Sequence, residues 1–164
     1  MIPKKRAIFL DRDGILNKER NDYVKTVQEL EIFPNIGRSI KKINEKGFLV
    51  IVITNQSAIG RKLTSENELQ KIHNSLQDYL KKWSAKIDAI YYCPHIPDDN
   101  CNCRKPKPGL LIQAANDYNI DLQNSWMIGD HDRDVQSGLN AGCNSIMVTP
   151  ENSFENIISD ILEC

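Results

Sequence analysis

Asp11 and Asp13 stand one residue apart, directly after an apolar run and directly before Gly14. Two carboxylates held this close repel each other, so either one keeps a proton or a cation lies between them. That arrangement suits acid/base work around a divalent metal; a solvated acidic loop is the bland alternative. A second group is Cys93, His95, Cys101 and Cys103, three thiols and an imidazole within eleven residues. Cys₃His is a standard tetrahedral zinc set, and with all four positions filled such a zinc folds its loop and leaves no open place for catalysis. The remaining candidates are Thr54 and Asn55 after an apolar run, Arg104 and Lys105 on leaving the cysteine loop, and Gly129-Asp130-His131-Asp132-Arg133-Asp134. Phosphoryl transfer needs this mixture: a nucleophile, donors or cations for the equatorial oxygens, and an acid for the leaving group. Each piece has an ordinary reading too. Thr54 could be a satisfied strand-end hydroxyl and Lys105 a solvated charge. Asp130 and Asp134 could cap the helix that follows, and Asp132 is the expected cap.

The elements that must position these groups alternate along the chain. Ala7–Leu10 reads as a strand buried on both faces. Ile36–Lys46 has a helical apolar face and Gly47 as its stop. Phe48–Ile53 is an all-apolar strand. A helix follows from Ser65, where Ser65 and Glu68 have capping-box spacing, with Leu69, Ile72, Leu76, Leu80 and Trp83 as its stripe. Ile87–Tyr92 is a strand, Leu110–Tyr118 a helix, and Trp126–Ile128 a strand. Val135–Ala141 is a helix stopped by Gly142, Ser145–Val148 a strand, and Phe154–Leu162 a last helix. This order predicts an α/β fold with a mostly parallel, Rossmann-like sheet and helices on both faces. In such a sheet the candidate residues share the carboxyl edge, where open α/β sheets bind ligands. The irregular loop 93–109 is long enough to need its own support. His73 reads as a partly exposed helix residue, and Cys143 as packing.

Composition narrows the function classes. The 164 residues suit one domain over 1–164, and a net charge of −1 gives no basic field for nucleic acid or an anionic membrane. No apolar run approaches the roughly 20 residues of a membrane span. The N-terminal segment lacks the apolar core of a signal peptide. Five cysteines, an odd number, with three clustered, fit a reducing cytoplasm better than a disulfide framework. A soluble, monomeric, cytoplasmic protein is expected.

Together, Asp11-x-Asp13, Thr54, Lys105 and Gly129-Asp130-x-x-x-Asp134 resemble the haloacid dehalogenase superfamily of phosphatases over nearly the whole chain. The resemblance implies that Asp11 is the nucleophile and forms an aspartyl-phosphate, while Asp13 serves as general acid and then base. It implies Mg²⁺ held by Asp11, the Asp13 backbone carbonyl and Asp130, with Asp134 behind them orienting a metal-bound water. Thr54 and Lys105 are implied to bind phosphoryl oxygens. The segment from Asn17 to Tyr23 corresponds to a flap that shields the site.

Cys-Pro-His…Cys-x-Cys-Arg-Lys-Pro-x-Pro-Gly, joined to Asp-Arg-Asp-Gly and Thr-Asn-Gln-Ser, is similar to a narrower family. Its members are the heptose 1,7-bisphosphate 7-phosphatases and the histidinol-phosphate phosphatases, small enzymes without a large cap domain. Ser57, Pro108-Gly109 and Tyr91-Tyr92 resemble the heptose branch more closely. That branch implies a small phosphorylated sugar as substrate, with Asn55, Arg61 and Arg104 near it. The chain departs from the pattern in a shorter 57–64 loop and in His131, where a lysine or arginine usually follows the metal-binding aspartate. A zinc-stabilised binding module with an inactive sheet is the non-enzyme alternative.

Overall fold

A computed structural model describes residues 2–164. Five strands form one parallel sheet: β1 (Ala7–Leu10), β2 (Leu49–Asn55), β3 (Ala89–Cys93), β4 (Trp126–Gly129) and β5 (Asn144–Met147), in the spatial order β3-β2-β1-β4-β5. Six helices accompany them: α1 (Ile36–Glu45), the single turn α2 (Ser57–Gly60), α3 (Glu66–Lys81), α4 (Gly109–Tyr118), α5 (Asp132–Ala141) and α6 (Phe154–Glu163). Every expected strand and helix is found, with boundaries moved by at most three residues and those of β1 unmoved. The α2 turn had no sequence expectation, because four residues are too few to show a helical period.

The all-apolar runs follow from coverage on both faces. Ile8, Leu10, Val50 and Val52 join residues of α1, α3 and α6 in one core, while Ala7, Phe9, Ile51, Ile53 and Met127 meet α4 in a second. All four residues of β1 are fully buried, and burying a full-sized apolar side chain stabilises by about 1.5–3 kcal/mol. Helix termini use local polar groups. Ser65 Oγ accepts from Glu68 N at 3.2 Å. The reciprocal half of the capping box is absent, since Glu68 turns to Lys71. The expected cap Asp132 is the first residue of α5, and Asp134 instead reaches back to accept from His131 N at 3.1 Å.

Parallel strands place their carboxyl ends on one edge. Chain order reverses across the sheet between β1 and β4, and this is where a crevice forms in open α/β sheets. Asp11 follows β1 on one side of that point and Asp130 follows β4 on the other, with Asp11 N donating to Ile128 O at 3.1 Å. Among the described residues, no further domain covers this edge.

Candidate active site

The carboxyl edge of the sheet opens into a cleft of about 430 Å³ lined by Asp11, Asp13, Asn55, Gln56, Ser57 and Lys105, with Arg20, Arg61, Arg104, Arg133 and His131 around them. Gly14 explains how the chain turns here. Its φ of +89° is left-handed, and a Cβ on it would come within 2.0 Å of Asp130 Oδ2. Only glycine lets this turn lie against the Asp130 carboxylate.

Lys105 is 2% exposed and has crossed from the cysteine loop to the cleft floor. Its ammonium lies 2.9 Å from Asp11 Oδ1 and 2.8 Å from Asp134 Oδ1, and donates to Ile53 O at 2.7 Å. Asn55 anchors it from the backbone side, accepting from Lys105 N at 3.1 Å and donating to Lys105 O at 3.3 Å. Burial disfavours the lysine's charge, but Asp11 and Asp134 outweigh it and hold its pKa above the usual range. For Asp11 burial dominates. Its pKa is pushed up to about 7 despite Lys105, with Asp134 and Asp13 adding repulsion. Asp13 differs. Burial also works against its charge, yet Arg12, Asn17 and Gln56 together hold its pKa below the usual carboxylate range.

The donors to Asp13 are well defined. Arg12 Nη2 lies 2.8 Å from Oδ1, Asn17 Nδ2 donates to the same oxygen at 2.9 Å, and Gln56 Nε2 donates to Oδ2 at 3.0 Å. Gln56 Nε2 also lies 2.9 Å from Thr54 Oγ1. Thr54 is 1% exposed and lies beside the cleft, facing Gln56. The 17–23 segment is well packed at its start: Asn17 is fully buried, and Glu19, Arg20, Asn21 and Tyr23 line the cleft.

The carboxylates fit a small hard cation. Asp11, Asp130 and Asp134 each offer an oxygen within 4.8 Å of the others. Asp130 Oδ1 is buried without a hydrogen-bond partner. Burial raises the Asp130 pKa; His131 opposes this, while Asp134 and Glu19 add to it. Two buried aspartates, Asp11 and Asp134, and two partly exposed ones, Asp13 and Asp130, converge beside the buried cations Lys105 and Arg12. An unsatisfied oxygen and a cluster of all-oxygen donors suit Mg²⁺. Asp134 has both oxygens engaged, by Lys105 and by His131 N.

The cysteine loop forms a separate, compact donor set. Ligand atoms of Cys93, His95, Cys101 and Cys103 all lie within 4.8 Å of one another. The Sγ–Sγ distances are 2.9 Å (Cys93–Cys103), 3.5 Å (Cys93–Cys101) and 3.6 Å (Cys101–Cys103). His95 Nδ1 lies 3.2 Å from Cys103 Sγ and 3.5 Å from Cys93 Sγ. Zinc–sulfur bonds of about 2.3 Å give a tetrahedron with edges of about 3.8 Å, close to most of these separations. Burial works against the Cys101 thiolate, but the backbone N–H groups of Cys103 and Arg104 and the Cys93 thiol pull its pKa down to about 6. The thiolate is the form that binds metal. Arg104 Nη1 donates to His95 O at 3.3 Å, so the same loop that could hold zinc also fixes Arg104 at the cleft.

The structure brings Asp11, Asp13, Asn55, Arg61, Arg104, Lys105 and Asp130 together, and gathers the Cys₃His set nearby. Sequence reasoning missed Arg12, Gln56 and His73. Arg12 is fully buried between the aspartates and contacts His73, whose Nε2 lies 3.1 Å from Nη1. His73, expected to be partly exposed, is only 5% exposed. A signal existed: His73 is four residues after Leu69 and three before Leu76, on the apolar face of α3.

Comparison with known proteins agrees with this geometry. A family model described as HAD-hyrolase-like matches residues 102–155. The D-glycero-beta-D-manno-heptose-1,7-bisphosphate 7-phosphatase of Helicobacter pylori (strain J99) is 39% identical over 94% of this chain and 89% of that protein. The enzyme of the same name from Pseudomonas aeruginosa is 37% identical over 86% of this chain and 79% of that protein. Among solved structures, the D,D-heptose 1,7-bisphosphate phosphatase from B. bronchiseptica, complexed with magnesium and phosphate, superimposes with a TM-score of 0.90. It is 31% identical and the match covers 96% of this chain and 98% of that one. With sequence, fold and edge geometry in agreement, this chain belongs to the haloacid dehalogenase-like phosphatases, in the heptose 1,7-bisphosphate 7-phosphatase family.

Proposed function

We propose that this protein removes the 7-phosphate of D-glycero-D-manno-heptose 1,7-bisphosphate through an aspartyl-phosphate on Asp11. The observation that carries the reading is the Lys105 ammonium, 2.9 Å from Asp11 Oδ1 on the floor of a cleft otherwise rimmed by arginines. A carboxylate beside a fixed cation on the cleft floor supports Asp11 as the nucleophile for an entering phosphoryl group. Relatives named for this substrate support the choice of sugar.

In the first step an Asp11 carboxylate oxygen attacks phosphorus. The bond between phosphorus and the sugar oxygen breaks, and Asp13, which takes up a proton as the negative phosphate enters the cleft and offsets the pull of Arg12, gives that proton to the sugar oxygen. In the second step the Asp13 carboxylate takes a proton from water as the water oxygen attacks the phosphoryl group. Inorganic phosphate leaves and Asp11 regains its carboxylate. Lys105 neutralises phosphoryl oxygens, and Thr54 and Asn55 complete that edge. Arg61 and Arg104 face the part of the substrate outside the floor. Asp11, Asp130 and the Asp13 backbone carbonyl would hold Mg²⁺, with Asp134 securing Lys105 and the start of α5 behind them. Bound there, Mg²⁺ supplies positive charge for the phosphoryl oxygens. Zinc held by Cys93, His95, Cys101 and Cys103 would brace the loop that delivers Lys105.

Phosphate release with Mg²⁺ from heptose 1,7-bisphosphate and from histidinol phosphate, measured side by side, tests the substrate. A strong preference for the heptose is expected. Preference for histidinol phosphate would move the chain to the other branch of the family, and release from neither would favour a binding role.

A further inference from the structure

Behind the cleft, on the far side of Asp13, lies a contact that the phosphatase chemistry does not use. The Arg12 guanidinium is fully buried and bridges two partners, with Nη2 2.8 Å from Asp13 Oδ1 and Nη1 3.1 Å from His73 Nε2. Guanidinium only donates, so Nε2 of His73 must accept, and the ring must be neutral with its proton on Nδ1. Burial and the neighbouring Arg12 charge hold the His73 pKa far down, at about 3, against a weaker opposite pull from Asp13. His73 also lines a second pocket with Gln70, Asn74, Gln77, Ile90 and Tyr92. Arg12 Nε has no partner. The orientation of the guanidinium plane therefore rests on its two terminal nitrogens.

We infer that His73, from the middle of α3, is a positioning residue that sets the carboxylate of Asp13 for proton transfer by holding the far end of Arg12. A neutral acceptor suits the task. It fixes the guanidinium plane without drawing positive charge away from Asp13, whereas a carboxylate in its place would compete for the arginine. Asn17 and Gln56 hold the remaining directions of Asp13. His73 is absent from the cleft lining, so it acts on the reaction only through Arg12. The inference rests on the assignment of Asp13 as general acid.

The leaving group makes the test selective. An alkyl oxygen needs a proton as its bond to phosphorus breaks, whereas p-nitrophenolate leaves without one. kcat/KM, which reports steps up to phosphorylation of Asp11, is compared for an alkyl phosphate (heptose 1,7-bisphosphate, cleaved at its 7-position) and for p-nitrophenyl phosphate. The proteins are the Mg²⁺-loaded wild type, His73→Met, His73→Gln and His73→Glu. His73→Met keeps the volume and removes the acceptor, and should lower the alkyl value by roughly tenfold more than the aryl value, a fraction of what a positioned acid contributes. His73→Gln keeps an acceptor and should restore the wild-type ratio. His73→Glu pairs with Arg12 inside the fold, and should shift the ratio in the direction of His73→Met; it carries the test if the methionine variant does not fold. Equal losses on both esters, or a glutamine variant no better than methionine, would overturn the inference and leave His73 a packing residue. Wild-type protein inactive on both esters would instead overturn the phosphatase reading itself.

Discussion

The carboxylate cluster at Asp11, Asp130 and Asp134 and the thiol cluster at Cys93, Cys101 and Cys103 with His95 differ in how complete they are. In the thiol cluster, four donors converge at nearly tetrahedral separations, and the set closes on itself. In the carboxylate cluster, charge is unbalanced, one Asp130 oxygen has no partner, and Asp11 lines an open cleft. Sulfur with imidazole suits zinc, and all-oxygen donors suit Mg²⁺. The contrast teaches that a closed set can only hold structure, whereas an unfinished one leaves places for substrate. Lys105 joins them, two residues beyond Cys103 and 2.9 Å from Asp11.

The sharpest way to break the comparison is Asp11→Asn, which keeps the size and removes the proposed nucleophile. Phosphate release should fall on the order of 10⁴-fold or more. Zinc content and the thermal melt should be preserved, because the change relieves repulsion in a crowded acidic site. Turnover close to wild type would remove Asp11 from its role.

Damage to the thiol cluster should instead reach both regions. Cys103→Ser should lower zinc content and reduce Tm by roughly 10 °C, from about 3 kcal/mol lost. It should also lower turnover in a way that added Mg²⁺ does not restore, since Lys105 loses its brace. The control is removal of Mg²⁺ alone from the wild type, after which Mg²⁺ should restore full rate. Full activity of a zinc-free Cys103→Ser protein would separate the two clusters.

The smallest effect concerns acid stability near the carboxylate side. The folded-state pKa of His73 is depressed from 6.5 to about 3. Between those values the unfolded chain binds a proton that the folded chain refuses, so stability falls as pH falls through this window. Urea midpoints at a series of pH values should decline on the acid side, and His73→Gln should flatten part of that decline. An unchanged slope in the glutamine variant would show that the carboxylates and thiols alone set the acid limit.

Much of this was legible in the order of residues. The strand β1 and the strand ends expected at Ile53 and Ile128, within two residues of those found, were readable because fully covered parallel strands need unbroken apolar runs. The polar residues just after those runs then had to share an edge. The thiol cluster was readable because its ligands lie within one loop, where spacing alone constrains geometry. His73 was misjudged because a polar side chain on an apolar face is buried only if a partner meets it. That partner, Arg12, lies 61 residues away in sequence. The same holds for Gln56 and Asp13, 43 residues apart, and for Asn55 and Lys105, 50 apart.

The sequence by itself therefore determined the sheet, the shared edge and the Cys₃His set through local burial patterns and spacing, and the Mg²⁺ set only through its resemblance to a known family. Only the tertiary structure decided which donors hold Asp13, which amide anchors Lys105, and that α3 reaches the acid from behind. Those choices depend on how side chains distant in sequence meet across packed elements, and no local period encodes such a meeting.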